Sequence, residues 1–198
     1  MFKVLKYVSY SLLFIFLTEK VFTATDDWTS YGKDSGGGHY SQADEITPKN
    51  VKNLERVWVH RSGDYHQGLN WTEDVVTNSS LQTSFQATPI LVNETLYYCT
   101  PYNRVFALDS ETGKVKWVFD PEINIDEKAL LHCRGVGSWI DNNKSEVEKC
   151  YHRIITGTID AKLYAIAGKS GEWCSDFGNS GVIDLRSGLG KHNPAYYY

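Results

Sequence analysis

No Cys-x-x-Cys pair occurs in this 198-residue chain, and no two of its four cysteines stand close together, so a zinc site of the usual ligand spacing is excluded. After residue 24 there is no cluster of Lys or Arg, which removes the electrostatic footprint that a phosphate backbone requires and disfavours nucleic acid as a partner. The Gly36-Gly37-Gly38 run has no Lys after it and opens no helical pattern, so it reads as a turn and not as a phosphate-binding loop. Helical periodicity is nearly absent; Thr47 to Leu54 alone reads as a turn or two of helix, with Thr47 as N-cap and Pro48 at the first position.

What is present points to short strands. Aromatics make up 14% of the chain, with 13 Tyr and 6 Trp, and 16 Gly accompany them, a mixture that favours strands joined by glycine-containing turns. An all-β fold is expected, with strands at 55–61, 86–92, 95–100, 104–109, 114–119, 152–158, 162–167 and 172–176. The polar stretch from Ser62 to Ser84 reads as a long loop, of a size usually functional or mobile.

The N-terminus reads as an export signal. Lys3 and Lys6 precede an uncharged run from Tyr7 to Leu17, shorter than the about 20 apolar residues that span a bilayer, and cleavage after Ala24 is expected. The alternative is an uncleaved anchor that attaches the chain to a membrane through residues 7–17. Three lysines and one glutamate leave with residues 1–24, a net +2, so the remainder carries −6 against −4 for the whole. Residues 25–198 are then a single incomplete domain, exported to the periplasm or to the periplasmic face of the inner membrane. In such an oxidising compartment Cys99, Cys133, Cys150 and Cys174 pair in one of three ways. Cys133–Cys150 is expected, because it closes a polar, unpatterned loop at 141–146 and would stabilise it by about 3 kcal/mol. Acceptor patterns for N-glycosylation at Asn70, Asn78, Asn93 and Asn143 matter only in a eukaryotic secretory pathway.

Two stretches superpose: Val105 to Gly113 and Leu163 to Gly171, at an offset of 58. Each is an apolar strand, a polar turn closed by Gly, and a further strand. Trp58 lies 59 residues before Trp117, which makes a third, partial copy. Self-similarity at this period, with four short strands per unit, is the mark of β-propeller blades, none of which buries both faces of its sheet alone. Two to three blades fall short of the 4–8 of a closed ring. Trp58 and Trp117 are expected to dock each blade on its neighbour.

These residues also carry a resemblance. Trp28 to Asp34, His39-Tyr40-Ser41, Asn50 to Leu54 and Trp58 resemble the entry segment of the quinoprotein glucose, polyol and quinate dehydrogenases. The likeness continues through Phe85 to Pro89, Tyr98 to Pro101, Ala107 to Asp109 with Thr112-Gly113, Cys133 to Val136, Thr158 to Ala161, and Phe177-Gly178 with Gly181 to Leu185. It implies the N-terminal part of an eight-bladed propeller enzyme that binds pyrroloquinoline quinone and calcium, oxidises a sugar, polyol or cyclic alcohol, and passes electrons to a respiratory quinone or another acceptor. That cofactor is flat and strongly anionic, so its pocket needs guanidinium and hydroxyl partners for carboxylates.

By resemblance, Arg134 forks onto a cofactor carboxylate, Gln86 hydrogen-bonds the cofactor and Thr158 donates a hydroxyl to a carboxylate. Trp139 would shape the substrate pocket; a rim or core aromatic is the plain alternative for it, as an ordinary strand threonine is for Thr158. His39 stands where many members of that family carry Arg, which weakens a charge-pairing role there. The catalytic base and the calcium ligands are expected beyond Tyr198, so the chain by itself would be inactive. A non-catalytic propeller scaffold of the cell envelope is the competing reading, but a lipidated scaffold needs a Cys after its signal and none precedes Cys99. A decayed remnant that does not fold is the third.

Overall fold

A computed structural model describes residues 27–34, 36–65, 82–123 and 130–188. The fold is all-β, with ten strands among the described residues: β1 (Gln82–Phe85), β2 (Ile90–Val92), β3 (Thr95–Cys99), β4 (Val105–Asp109), β5 (Val115–Phe119), β6 (Leu130–Cys133), β7 (Gly137–Ile140), β8 (His152–Gly157), β9 (Lys162–Ala167) and β10 (Val182–Asp184). Strands β2-β3-β4-β5 form one four-stranded antiparallel meander and β7-β8-β9-β10 another, while β1 and β6 form a separate parallel pair. These are two propeller blades in sequence order. Among the described residues no helix is long and apolar enough to cross a membrane. The N-terminal run assigned to export, residues 1–24, lies outside the described residues.

Turn chemistry closes the hairpins. Asn93 and Glu94 both have positive φ, 48° and 57°, as the two central residues of the tight β2–β3 turn. In the β4–β5 turn Asp109 Oδ1 accepts the backbone N–H of Thr112 at 2.9 Å and its hydroxyl at 2.6 Å, and the Gly113 N–H returns to the Asp109 carbonyl.

Strand alternation sorts the side chains. Ile90, Val92, Tyr97, Cys99, Val105, Ala107, Trp117 and Phe119 leave the first sheet on one face and meet Ile154, Tyr164 and Ile166 of the second, with Cys133 and Val136 between them. The Trp117 Nε1–H donates to the Gly168 carbonyl at 2.9 Å, and the Tyr97 hydroxyl donates to the same oxygen at 3.1 Å. The indole lies flat on the following turn: a Cβ at Gly171 would fall 2.8 Å from it, and Gly171 has φ +75°. Trp58 repeats the contact one unit upstream, donating to the Ser110 carbonyl at 3.3 Å, with a would-be Gly113 Cβ at 2.6 Å from its ring. The expected docking role of both tryptophans is thus the observed one.

Several expected boundaries move. Residues 55–61 form no strand, because no described strand lies beside them; the segment is held by Trp58 instead. The expected 86–92 strand begins only at Ile90, since Pro89 has no N–H to give and the Thr88 N–H is taken by the Arg134 carbonyl at 3.1 Å. Residues 172–176 pair with β9 only from Glu172 to Cys174, through the Glu172 carbonyl, the Trp173 bridge and the Cys174 N–H; the chain then leaves the sheet, and β10 resumes the outer edge at Val182. Strands β6 and β7 carry too short an apolar pattern to announce themselves. The Thr47–Leu54 stretch is a single 3₁₀ turn over Val51–Asn53, where the Thr47 hydroxyl donates to Asn50 Oδ1 and does not cap.

The disulfides also differ from expectation. Cys99 bonds Cys133 and Cys150 bonds Cys174, with Cα–Cα distances of 5.9 and 5.7 Å. Cys133 leads into the start of β7 while Cys150 precedes β8, whose start pairs with the end of β7. The length of β7, about 10 Å, therefore separates the expected pair, too far for a bridge. The polar loop 141–151 is held by ions instead: Arg153, 6% exposed, donates to Asp141 Oδ2 and Asp176 Oδ2, each at 2.9 Å, and Lys144 pairs with Asp176 at 2.7 Å.

The far face of the first sheet carries Leu96, Tyr98, Phe106 and Leu108 under Trp58, beside an open, apolar cavity of about 490 Å³. The Tyr98 hydroxyl is 2.6 Å from His60 Nδ1. Burial first and the Asp64 carboxylate second push the Tyr98 phenol up to about 12, with Arg104 opposing.

Replacing Trp117 with Ala should cost about 3–5 kcal/mol of stability in urea denaturation, through the lost area and the cavity left against Gly171; a change below about 1 kcal/mol would contradict the docking role. For Tyr98 the folded pKa lies above the ordinary 10.0. Its contribution to stability is therefore complete below pH 10.0 and lost as pH rises through about 12. A phenolate titration by ultraviolet absorbance should lose its last step in Tyr98→Phe; loss of a step near pH 10.0 instead would contradict the assignment.

Candidate cofactor-facing end of the blades

The innermost strands of the two blades, β2 and β7, start at the same end of the sheets, and each is preceded by one strand of the parallel pair. The β1–β6 register sets Phe85 opposite Cys133, so Gln86 and Arg134 leave that pair side by side. Two turns reach the same end: Thr100 to Arg104, between β3 and β4, and Thr158 to Lys162, between β8 and β9.

Arg134 is exposed, and its guanidinium makes no hydrogen bond or ion pair among the described residues. Its backbone is fixed: the Arg134 carbonyl accepts the Thr88 N–H, and the preceding Cys133 is bonded to Cys99 at the end of β3. Gln86 is exposed, and its Nε2 donates to Ser84 Oγ at 3.0 Å. Thr158 is 7% exposed and its hydroxyl is spent within its own turn, donating to Asp160 Oδ1 at 2.5 Å and accepting the Lys162 N–H at 3.3 Å. Asp160 in turn pairs with Lys162 at 2.8 Å, and this contact raises the Lys162 pKa. Trp139 lies within β7, opposite Arg153 in register, and the guanidinium of Arg153 stands 5.1 Å from the Trp139 ring centroid. That pair occupies the face of the second sheet turned away from the first blade, since Ile154 and Ile166 fill the other face.

The structure therefore brings Arg134 and Gln86 together, adds Thr158 at the same end with its hydroxyl committed, and places Trp139 on the sheet face. Three features lay beyond the sequence reading. Asn103, 1% exposed, bridges the two blades at this end. Arg153 is a buried ion held by two carboxylates. Ser138 Oγ and His152 Nε2 meet at 2.9 Å in the junction between the sheets, where burial lowers the His152 pKa. Asn103 carried a readable signal, since Asn is favoured where φ is positive, here 58°; the partners of Arg153 and Ser138 come from contacts between residues distant in the chain.

The donor set tests the cofactor implied by the resemblance. A free guanidinium beside a primary amide, both at the open end of the innermost strands, is the pairing that a carboxylate of a flat anionic ligand requires. Arg134 and Gln86 fit, whereas Thr158 would have to release Asp160 first. A calcium-like ion needs six or more oxygens, and Asp160 at this end is already paired. The one cluster of three metal-ligand types among the described residues is Cys150, Cys174 and Asp176, and its two sulfurs are joined to each other.

Comparison with known proteins bears on the family and the fold. Residues 28–198 match the family model described as PQQ, the glucose/ethanol/alcohol dehydrogenase β-propeller domain. The chain is 37% identical over 179 residues to the quinoprotein glucose dehydrogenase of Escherichia coli K12, covering 88% of this chain and 21% of that protein. It is 32% identical to the quinate/shikimate dehydrogenase (quinone) of Acinetobacter baylyi, covering 85% and 21% of the two chains. Against the glycerol dehydrogenase large subunit of Gluconobacter oxydans the identity is 33%, over 87% and 22%. The quinohemoprotein alcohol dehydrogenase of Comamonas testosteroni shares the fold, with a TM-score of 0.56 at 24% identity over 84% of this chain and 20% of that one. The chain thus spans about a fifth of the length of the curated relatives it matches. With two meander sheets locked by tryptophan in the order the repeat demands, and a match over nearly every residue beyond the N-terminal run, this chain belongs to the PQQ-dependent dehydrogenase β-propeller family.

Proposed function

We propose that this chain is the N-terminal part of an exported quinoprotein dehydrogenase that oxidises a sugar, polyol or cyclic alcohol. In this reading residues 1–24 direct export to the periplasm, calcium is held by residues of other blades, and electrons pass to a respiratory quinone or another acceptor. The observation that carries it is the register of β1 with β6, which leaves Gln86 and Arg134 as the next residues of the two paired strands, in a chain whose relatives are dehydrogenases named for glucose, quinate and glycerol. Pyrroloquinoline quinone, when bound, supplies a two-electron acceptor for the hydride of a carbinol carbon. The residues of this chain bind and orient. Arg134 offers two parallel N–H donors to one carboxylate, Gln86 adds a neutral amide, and the Cys99–Cys133 bond with the Thr88 N–H keeps the Arg134 backbone in place. The group that removes the substrate hydroxyl proton is assigned to blades other than these two.

The purified chain with pyrroloquinoline quinone and calcium should reduce no artificial dye when given glucose, quinate or glycerol, and robust reduction would reject the assignment of the base to other blades. The same chain should bind the quinone, as read by its fluorescence. Arg134→Ala should weaken that binding about tenfold and Arg134→Lys should recover part of the loss, because charge returns without the bidentate fork. Equal affinity in the alanine variant would remove Arg134 from the site.

A further inference from the structure

Asn103 is a polar side chain, 1% exposed, in a turn of the first blade, yet one end of its amide is spent on β6 of the parallel pair and the other on the second blade. Its Nδ2 donates to the His132 carbonyl at 3.1 Å, two residues before Arg134. Its Oδ1 accepts the Ile159 N–H at 2.8 Å, one residue after Thr158. One planar amide thus spans the strand that ends just before Arg134 and the turn that begins at Thr158. The turn that holds Asn103 is itself anchored: the Asn103 N–H returns to the Thr100 carbonyl at 2.8 Å, and the Thr100 N–H donates to the Arg104 carbonyl at 2.9 Å. Cys99, at the head of that turn, is bonded to Cys133. Carbonyl 132, sulfur 133 and carbonyl 134 are therefore all held by residues of the first blade: Asn103, Cys99 and Thr88. Of these, Asn103 alone also binds the Thr158 turn.

We propose that Asn103 is the positioning residue that fixes Arg134 in register with the Thr158 turn, so that the guanidinium is presented at a set distance from the second blade before any ligand arrives. Asn103 touches no ligand; it acts through Arg134. The inference rests on the reading that Arg134 receives a carboxylate. A buried amide satisfied at both ends is costly to remove, because its two partners are left without bonds away from water. The exposed, unpaired guanidinium has no side-chain contact of its own to orient it, so its backbone decides where it can reach.

Asn103→Gly is the direct test, since glycine accepts the φ of 58° without strain and removes both bonds. Pyrroloquinoline quinone is the probe, titrated against the full chain. Asn103→Gly should weaken binding about tenfold, and should have no further effect once Arg134 is Ala, because the two act as one unit. An equal loss in both backgrounds, or none in either, overturns the proposal. Two measurements need no quinone: amide hydrogen exchange at Ile159 should rise about tenfold, and ¹⁵Nε relaxation should report a more mobile Arg134. If the unmodified chain binds no quinone, the carboxylate reading of Arg134 fails. The clamp is then judged on these two measurements: loosening supports it and unchanged values reject it. Should Asn103→Gly show no cooperative melt, Asn103→Asp keeps the acceptor and loses the donor. It should leave Ile159 protected while Arg134 loosens, and protection of both would reject the clamp.

Discussion

An indole laid across a glycine turn, with its N–H on a main-chain carbonyl, is what joins the separate sheets into one body. A four-stranded sheet of this size presents two faces and can shield neither by itself. Trp117 fills the outer part of the junction, its nitrogen satisfied by the Gly168 carbonyl, and it lies so close to Gly171 that any side chain there would collide. The acceptor is shared with the Tyr97 hydroxyl, which uses the second lone pair of that oxygen and draws the first blade's own β3 into the contact. Trp58 makes the same dock on Ser110 and Gly113, although the segment that carries it pairs with no described strand. The dock is therefore independent of strand pairing, and it sets the order of the blades along the chain.

That interaction was legible in the sequence because its parts recur. The hairpins around Gly113 and Gly171 repeat at an offset of 58, and a tryptophan follows or precedes each at a matching distance. What could not be read depends on contacts between residues far apart in the chain. Strand β6 exists by pairing in parallel with β1, whose residues lie 48 positions upstream, and neither has a pattern strong enough to predict alone. The fourth strand of the second blade is split: Trp173 pairs with Ile166, the chain departs, and Val182 returns to pair with Tyr164. The cysteines pair by which sheet ends they share and not by the loops they enclose, which is why a pairing argued from loop composition misplaced Cys133. The site followed the same division: resemblance marked Arg134 and Gln86, which the fold brings together, while Asn103 looked like one more turn residue.

The two outer faces of this pair of blades are unlike each other. Beyond the first sheet stand Tyr98, Phe106 and Trp58 around an apolar slot, with Arg104 paired to Asp64 at its edge. Beyond the second stand Ala165, Ala167 and the Cys150–Cys174 bond, beside the Arg153 ion held by Asp141 and Asp176. An arginine so enclosed is satisfied only while both carboxylates stay in place, and losing one partner costs far more than an exposed pair would. The Asp176 carboxylate comes from the segment that interrupts the outer strand, so the excursion between Trp173 and Val182 serves to complete that ion cluster.

The two ends of the blade junction are held by different chemistry, and the difference bears on the site. Around Gly168 and Gly171 the hold is packing: an indole, a phenol and the absence of a Cβ. At the end that carries Arg134 it is a disulfide, an amide bridged at both of its atoms, and one backbone hydrogen bond. Packing tolerates small sliding of one sheet on the other, whereas a covalent bond beside directional hydrogen bonds fixes distance and angle. The geometry a carboxylate would meet is thus built from contacts internal to these two blades. The placement of Arg134 rests on contacts among the described residues themselves.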